Sequence, residues 1–231
     1  LLPGLELIRN SIPNSFVFFS PKDIVSGDFY WFIEKAGKIY LAAVDCTGHG
    51  VSGAFMSLIG RTLLNQIVAD HPLYNAGELL TALSKELTFT LKQDSDEAIT
   101  KDGMDIALVI INKGVKEIDY AGANNPLFIV KNGEIEIIKA DKTGIGLQRG
   151  NVEAVFKSNL VGIDPDADYY IFSDGFIGQF GGENGEEKFK MNRFKELLLQ
   201  SSGVACKERE YFFKNSLKNW KQYVPQTDDI L

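Results

Sequence analysis

Apolar and polar positions alternate along parts of this chain and follow helical spacing along others. Residues 15–20 (SFVFFS) and 29–33 are dense in aromatic and β-branched side chains and predict strands. Lys35-Ala36-Gly37-Lys38 predicts a turn, and 39–44 returns as the second strand of a hairpin. From Val51 onward, Phe55, Leu58, Ile59, Leu63 and Ile67 fall on one helical face. Pro72 ends that helix, and residues 76–91 predict a second one. Polar residues 92–102 predict a loop, after which strands are expected at 106–111, 117–121 and 127–130. Asn132-Gly133 is a hairpin signal leading into 135–138, and 152–156 and 169–172 complete the strand set. A glycine-rich loop at 178–185 precedes helices at 193–199 and 208–220. Hairpin-linked strands with helices in two groups predict an α+β layered fold, not a doubly wound parallel sheet.

Acidic residues punctuate the ends of four apolar runs: Asp28 before FYWF, Asp45 closing IYLAAVD, Asp174 after YYIFS, and Asp228-Asp229 before Ile230-Leu231. Aspartate is a poor strand former, and a buried carboxylate without a partner is costly. Four such groups from distant parts of the chain make sense if they converge on a shared cation. Carboxylate oxygens select hard ions, so the set points to Mg²⁺ or Mn²⁺, with Ca²⁺ the weaker option. Zinc is disfavoured, because the histidines are His49 and His71 alone and the cysteines lack close spacing. Two ions roughly 3.5–4 Å apart, bridged by one carboxylate, would activate a water for in-line attack on phosphorus.

Composition narrows the setting. The 231 residues are 45% hydrophobic, enough for one substantial core. Acidic side chains outnumber basic ones, 31 to 24, for a net charge of -7, which disfavours nucleic acid as a partner. Cys46 and Cys206 make no disulfide framework, which fits a reducing, cytoplasmic setting. The longest apolar stretch, 106–111, is far short of a membrane span, so no direct membrane contact is expected of this segment. Leu1-Leu2-Pro3 and Ile230-Leu231 read as cut inside structural elements; the chain is expected to be the C-terminal catalytic part of a longer sensor protein.

Other phosphoester chemistries fail on inspection. A cysteine nucleophile needs Cys-x5-Arg, but Ser52 and Phe212 stand six residues after Cys46 and Cys206. No GxxxxGK[ST] run exists. Asp164-Pro165-Asp166-Ala167-Asp168 fails as a calcium loop, with Tyr169 where glycine is required and Gly175 where glutamate belongs, and reads as a solvated turn.

Six blocks then occur in one order: Ser26-Gly27-Asp28-Phe29-Tyr30, Val44-Asp45-Cys46-Thr47-Gly48-His49-Gly50, Ala121-Gly122-Ala123-Asn124-Asn125-Pro126, Gly144-Ile145-Gly146-Leu147, Ser173-Asp174-Gly175 and Thr227-Asp228-Asp229. This order resembles the metal-dependent Ser/Thr protein phosphatases of the type 2C (PPM) superfamily, in the bacterial branch of sporulation stage II protein E and the stress sigma-factor phosphatases. The resemblance runs from about Phe16 to Leu231 and implies a single PPM-type domain over 1–231. It implies a four-layer α-β-β-α sandwich, two antiparallel sheets face to face between helix pairs. It implies two Mn²⁺ or Mg²⁺ ions per site. Asp45 would bridge both; Asp28 and the main-chain carbonyl of Cys46 would bind the second; Asp174 and Asp228 would bind the first. Asp229 takes a supporting position. The implied substrate is a phosphoserine or phosphothreonine protein, of the kind that antagonises an anti-sigma factor, under control of an upstream sensor; a homodimer is an open alternative. The chain departs from animal members, which place a histidine where Thr47 stands, and no arginine matches their phosphate-binding arginine. It also carries Asn124-Asn125 where the bacterial branch often has a histidine.

Some readings stay open at this level. His49 reads as a structural or supporting residue and not as the acid. Thr47 or Ser52 reads as the cap of the helix near Val51. Asp105 reads as facing solvent from an edge strand, with a third, weaker metal site as the alternative. Phe16, Phe18, Phe19, Tyr30 and Trp31 read as core. A catalytically inactive binding module and a small-phosphoester hydrolase are the rival functions.

Overall fold

The computed structural model describes residues 2–93, 102–146 and 153–231. Its first hairpin joins β1 (Phe29–Lys35) to β2 (Lys38–Cys46) through Ala36 and Gly37, whose φ values of 51° and 77° suit a tight hairpin turn. β3 (Met104–Asn112) pairs with β2, β4 (Glu117–Ala123) with β3, and β7 (Asn159–Gly162) closes the far edge. These strands form one antiparallel sheet in the order β1-β2-β3-β4-β7. β5 (Leu127–Lys131), β6 (Glu134–Ile138) and β8 (Asp168–Tyr170) form a second, in the order β6-β5-β8. The predicted Asn132-Gly133 turn joins β5 to β6, both residues at positive φ.

Alternation along the strands decides the layers, because successive side chains leave a strand on opposite faces. Ile106, Leu108 and Ile110 of β3 pack with Leu64, Leu80 and Leu83 of the helices α2 (Gly50–Asp70) and α3 (Ala76–Thr90). Ala107 and Val109, one step out of phase, pack instead with Leu127 and Ile129 of β5. Phe128 and Val130 then face Phe194, Leu197 and Phe213 of α5 (Lys190–Ser201) and α6 (Cys206–Lys221). The layers therefore run helix pair, five-stranded sheet, three-stranded sheet, helix pair. α3 starts with a capping box: the Asn75 side chain accepts from Glu78 N, and the Glu78 carboxylate accepts from Asn75 N.

Several predicted elements differ. Residues 15–19 are extended without a ladder, and only Ser20 bridges Ile230. That bridge has a use: Ile230 N donates to Ser20 O at 3.0 Å, and Ser173 N donates to Leu231 O at 2.9 Å, so the chain's tail lies between the end of β8 and the Phe16–Phe19 side chains that pack beside it. Residues 153–156 form no strand, and Val152 lies outside the described residues, as does most of the predicted 92–102 loop. The short helices α1 (Leu5–Ser11) and α4 (Gly175–Gly178), the edge strand β7, and a two-residue hairpin of β9 (Phe180–Gly181) with β10 (Glu187–Lys188) carry too little periodicity to be predicted. The acidic 164–168 turn is a turn, but it is not wholly solvated: Asp168 Oδ1 sits 2.7 Å from the largely buried Arg209. Among the described residues, no helix is long and apolar enough to cross a membrane.

Candidate metal centre

Register brings the first carboxylates together. Asp45 ends β2 directly opposite Asp105 at the start of β3. Phe29 pairs with Val44, so Asp28, one residue earlier, lies at the same end of the sheet. The second sheet adds the others. Asp174 follows Ser173, whose backbone pairs with Leu231, and Asp228 and Asp229 lie just before that pairing. A Cβ added to Gly175 would stand 1.8 Å from Asp229 O, so only glycine lets the tail lie this close to the start of α4. At the other side, a Cβ on Gly27 would meet Gly48 O at 2.5 Å and Cys46 O at 3.3 Å, which packs the Asp28 loop onto the turn after β2. Ser57 Oγ of α2 fastens that loop, donating to Gly27 O at 2.7 Å.

The charges share one field. Burial first, and then the Asp45 charge, push Asp28 up to about 9 from 3.8. Burial, then Asp174 and Asp105, push Asp45 up to about 7. Burial and Asp228 raise Asp174, while Lys188 pulls it back down. Burial raises Asp105, opposed by a hydrogen bond of 2.8 Å from Asn124 Nδ2. Asp105 thus stands on a central strand and faces Asp45, so the solvent-facing edge reading is corrected: β4 and β7 continue the sheet beyond β3. Register between strands is non-local and invisible to residue spacing.

Asp28 is 4% exposed, and its Oδ2 has no hydrogen-bond partner. A buried carboxyl oxygen with no hydrogen-bond partner is what a divalent cation would satisfy, by displacing the proton. Asp229 is different. Its Oδ1 accepts from Lys22 N and its Oδ2 from Gly27 N, both at 2.8 Å, so backbone donors occupy both oxygens and tie the Asp28 loop to the tail. Among the described residues, no three acidic, histidine or cysteine side chains stand together as a ready-made ion cage; the carboxylates are electrostatic neighbours. A cavity of about 620 Å³ lies elsewhere, between the sheets against Phe16, Tyr30, Val109 and Arg209. It holds none of the four punctuating carboxylates, and a phosphate group needs charge more than volume.

The Cys46 side chain is buried in the core with Val44 and Met56, where burial pushes its thiol well up and leaves it inert. Only its main-chain carbonyl is available to the site. Cys46→Ala is accordingly expected to keep turnover within about twofold while costing about 1 kcal/mol of stability, read by kinetics and denaturant melts. His49, not Thr47 or Ser52, is the N-cap of α2, and its side chain makes no cap bond. Its half-exposed ring instead meets Asp23 at 3.2 Å, so it is not packed into the core. Thr47 Oγ1 accepts from Gly103 N, and Ser52 Oγ donates to His49 O. Asp23, Asn124 and Lys188 were not legible as site neighbours, since each arrives through a loop or hairpin contact.

Comparison with known proteins agrees with this layout. The family model for Stage II sporulation protein E (SpoIIE) matches residues 35–231. The SiaA-PP2C domain of Pseudomonas aeruginosa superposes with a TM-score of 0.86 at 27% identity, over 99% of this chain and 88% of that one. The PP2C phosphatase domain, with a fragment of the regulatory domain, of the cell fate determinant SpoIIE from Bacillus subtilis gives 0.70 at 20% identity, over 92% of this chain and 59% of that one. RsbX in complex with magnesium gives 0.59 at 13% identity, over 92% and 89%. No curated protein sequence matches. A match across most of the chain, together with the shared fold, leads to one conclusion: the chain belongs to the SpoIIE family, the bacterial branch of the PPM-type phosphatases.

Proposed function

We propose that this chain hydrolyses phosphoserine or phosphothreonine in a partner protein, using two Mn²⁺ or Mg²⁺ ions. The observation that carries the reading is the convergence of Asp28, Asp45, Asp174 and Asp228 in one field, with Asp28 Oδ2 buried and unpartnered. Asp45 would bridge the two ions, Asp28 and the Cys46 carbonyl would hold the second, and Asp174 and Asp228 the first. When bound, such ions supply Lewis acidity toward water and phosphoryl oxygens near neutral pH. Asp229, with both oxygens taken by backbone, keeps the Asp28 loop and the tail in register. Asn124 holds Asp105 beside Asp45. Without a cation, Asp28 and Asp45 keep protons that binding must displace, so metal uptake is expected to tighten with pH.

Support comes from family membership and from a magnesium-bound relative of the same fold. By the same analogy, the 231 residues form a single phosphatase domain of a cytoplasmic signalling protein, with a sensor upstream and an anti-sigma antagonist-like substrate. The net charge of -7 favours a protein substrate over nucleic acid. The rival reading, an inactive regulatory module, draws on the carboxylates standing short of a closed cage. Turnover decides: with Mn²⁺ present, a phosphoserine protein is expected to give kcat/KM at least about 100-fold above p-nitrophenyl phosphate, a gain that remote binding contacts can supply. Mn²⁺-independent turnover, or equal use of both substrates, would remove this reading.

A further inference from the structure

A phosphate dianion approaching this site meets several carboxylates on a chain of net charge -7, so a cation beside the cluster changes what can bind. The β9–β10 hairpin supplies one. It follows α4 directly after Asp174, and it is fastened to the segment that carries Asp228: Phe180 N donates to Thr227 Oγ1 at 3.3 Å, and Thr227 N donates to Gln179 Oε1 at 2.9 Å. Trp220 clamps its back, with Nε1 donating to Gln179 O at 3.0 Å and its main-chain oxygen 2.3 Å from where a Gly181 Cβ would stand. Lys188 pairs with Phe180 across this hairpin and holds its ammonium 5.6 Å above the Phe180 ring.

The neighbouring arginine is already engaged. Arg193 lies 2.9 Å from Glu187 and stacks 4.6 Å over Trp220. The Lys188 ammonium has only the aromatic ring, with no hydrogen bond or ion pair among the described residues. Its cross-strand partner Phe180 is hydrogen-bonded to Thr227, next to Asp228, and follows the α4 turn that starts after Asp174. We propose that Lys188, presented on the Phe180 ring by a hairpin tied to both the Asp174 and Asp228 segments, binds the phosphate group of the substrate and of the product. The assignment rests on the phosphatase reading for its substrate, but not for its geometry.

The test pairs Lys188→Met with Lys188→Arg. Titration calorimetry follows inorganic phosphate binding to each protein at saturating Mg²⁺, and steady-state kinetics follows a phosphoserine peptide. Lys188→Met is expected to weaken phosphate about tenfold, the loss of one charge-assisted contact, and to raise KM by a similar factor with kcat within about threefold. Lys188→Arg is expected to recover most of both, and the Mg²⁺ affinity of Lys188→Met to be equal or tighter, because a repelling charge has gone. Unchanged phosphate affinity in Lys188→Met, no phosphate binding by the wild type, or a loss traced wholly to weaker Mg²⁺ would each overturn the assignment. Wild-type protein that binds phosphate through Lys188 without turning over peptide would instead sink the catalytic reading alone.

Discussion

Asp45→Asn is expected to lower Mn²⁺-dependent turnover of a phosphoserine peptide by about 1,000-fold or more, with little change in fold. The size follows from position. Asp45 ends a central strand opposite Asp105 and feels Asp174 and Asp228, so it is the carboxylate at the centre of the group. Replacing it with a neutral amide removes the only donor proposed to serve both ions, and electrostatic stabilisation of this kind is worth several kcal/mol. A Mn²⁺ titration separates the alternatives. The variant should need far more Mn²⁺ and still fall short at saturation. Retention of more than a tenth of wild-type kcat at ordinary Mn²⁺ would refute the bridging role. Circular dichroism should show the helices and sheets intact, because β2 is held by backbone pairing to β1 and β3, which the substitution leaves in place.

The second large effect concerns the metal-free protein. Asp28 sits near 9 in the folded chain against 3.8 as an ordinary carboxyl. Between about pH 4 and 9 the folded state therefore keeps a proton that the unfolded chain has released, and stability falls as pH rises through that window. Asp45, near 7, adds to the fall up to neutrality. Carboxyls held low by lysines, Glu34 beside Lys113 and Asp164 beside Lys131, act with the opposite sign, but below the ordinary carboxyl range. In EDTA, the Tm is thus expected to decline from pH 6 to 9. Asp28→Asn should flatten that decline and raise Tm at pH 8 by roughly 4–8 °C, about 2 kcal/mol. Saturating Mn²⁺ should reverse the ranking, since a cation stabilises only the protein that binds it. A metal-free Tm that rises between pH 6 and 9, or an Asp28→Asn variant less stable at pH 8, would contradict this account.

The two results are independent of Lys188, which tests substrate affinity and leaves the carboxylates in place. They also bear on the rival reading. An inactive module would still show the pH-dependent melting of buried acids, but its Asp45→Asn variant would lose nothing measurable.

Hydrophobic spacing was enough to place most of the secondary structure. The first hairpin, the Asn132-Gly133 turn, the paired helices α2 and α3 and the final helices α5 and α6 all carry local periodicity or turn chemistry, and these are properties of neighbouring residues. Where periodicity was short, the reading failed. β7 has four residues, α4 has four, and β9 and β10 have two each, too few to repeat a pattern. Residues 15–19 have strand composition, yet they reach the sheet only through Ser20 and the tail.

What the amino-acid sequence alone determined was therefore the list of strand-end acids and the α+β element order, because both are written in local composition. What only the tertiary structure decided was who meets whom. The pairing of Asp45 with Asp105 depends on β2–β3 register, the burial of Asp28 depends on Gly27 lying against Gly48, and the occupation of Asp229 by Lys22 and Gly27 depends on the tail crossing to the first loop. Each is a contact between residues about 20 to 200 positions apart, and such contacts are set by chain-wide packing and hydrogen-bond satisfaction that no local window contains.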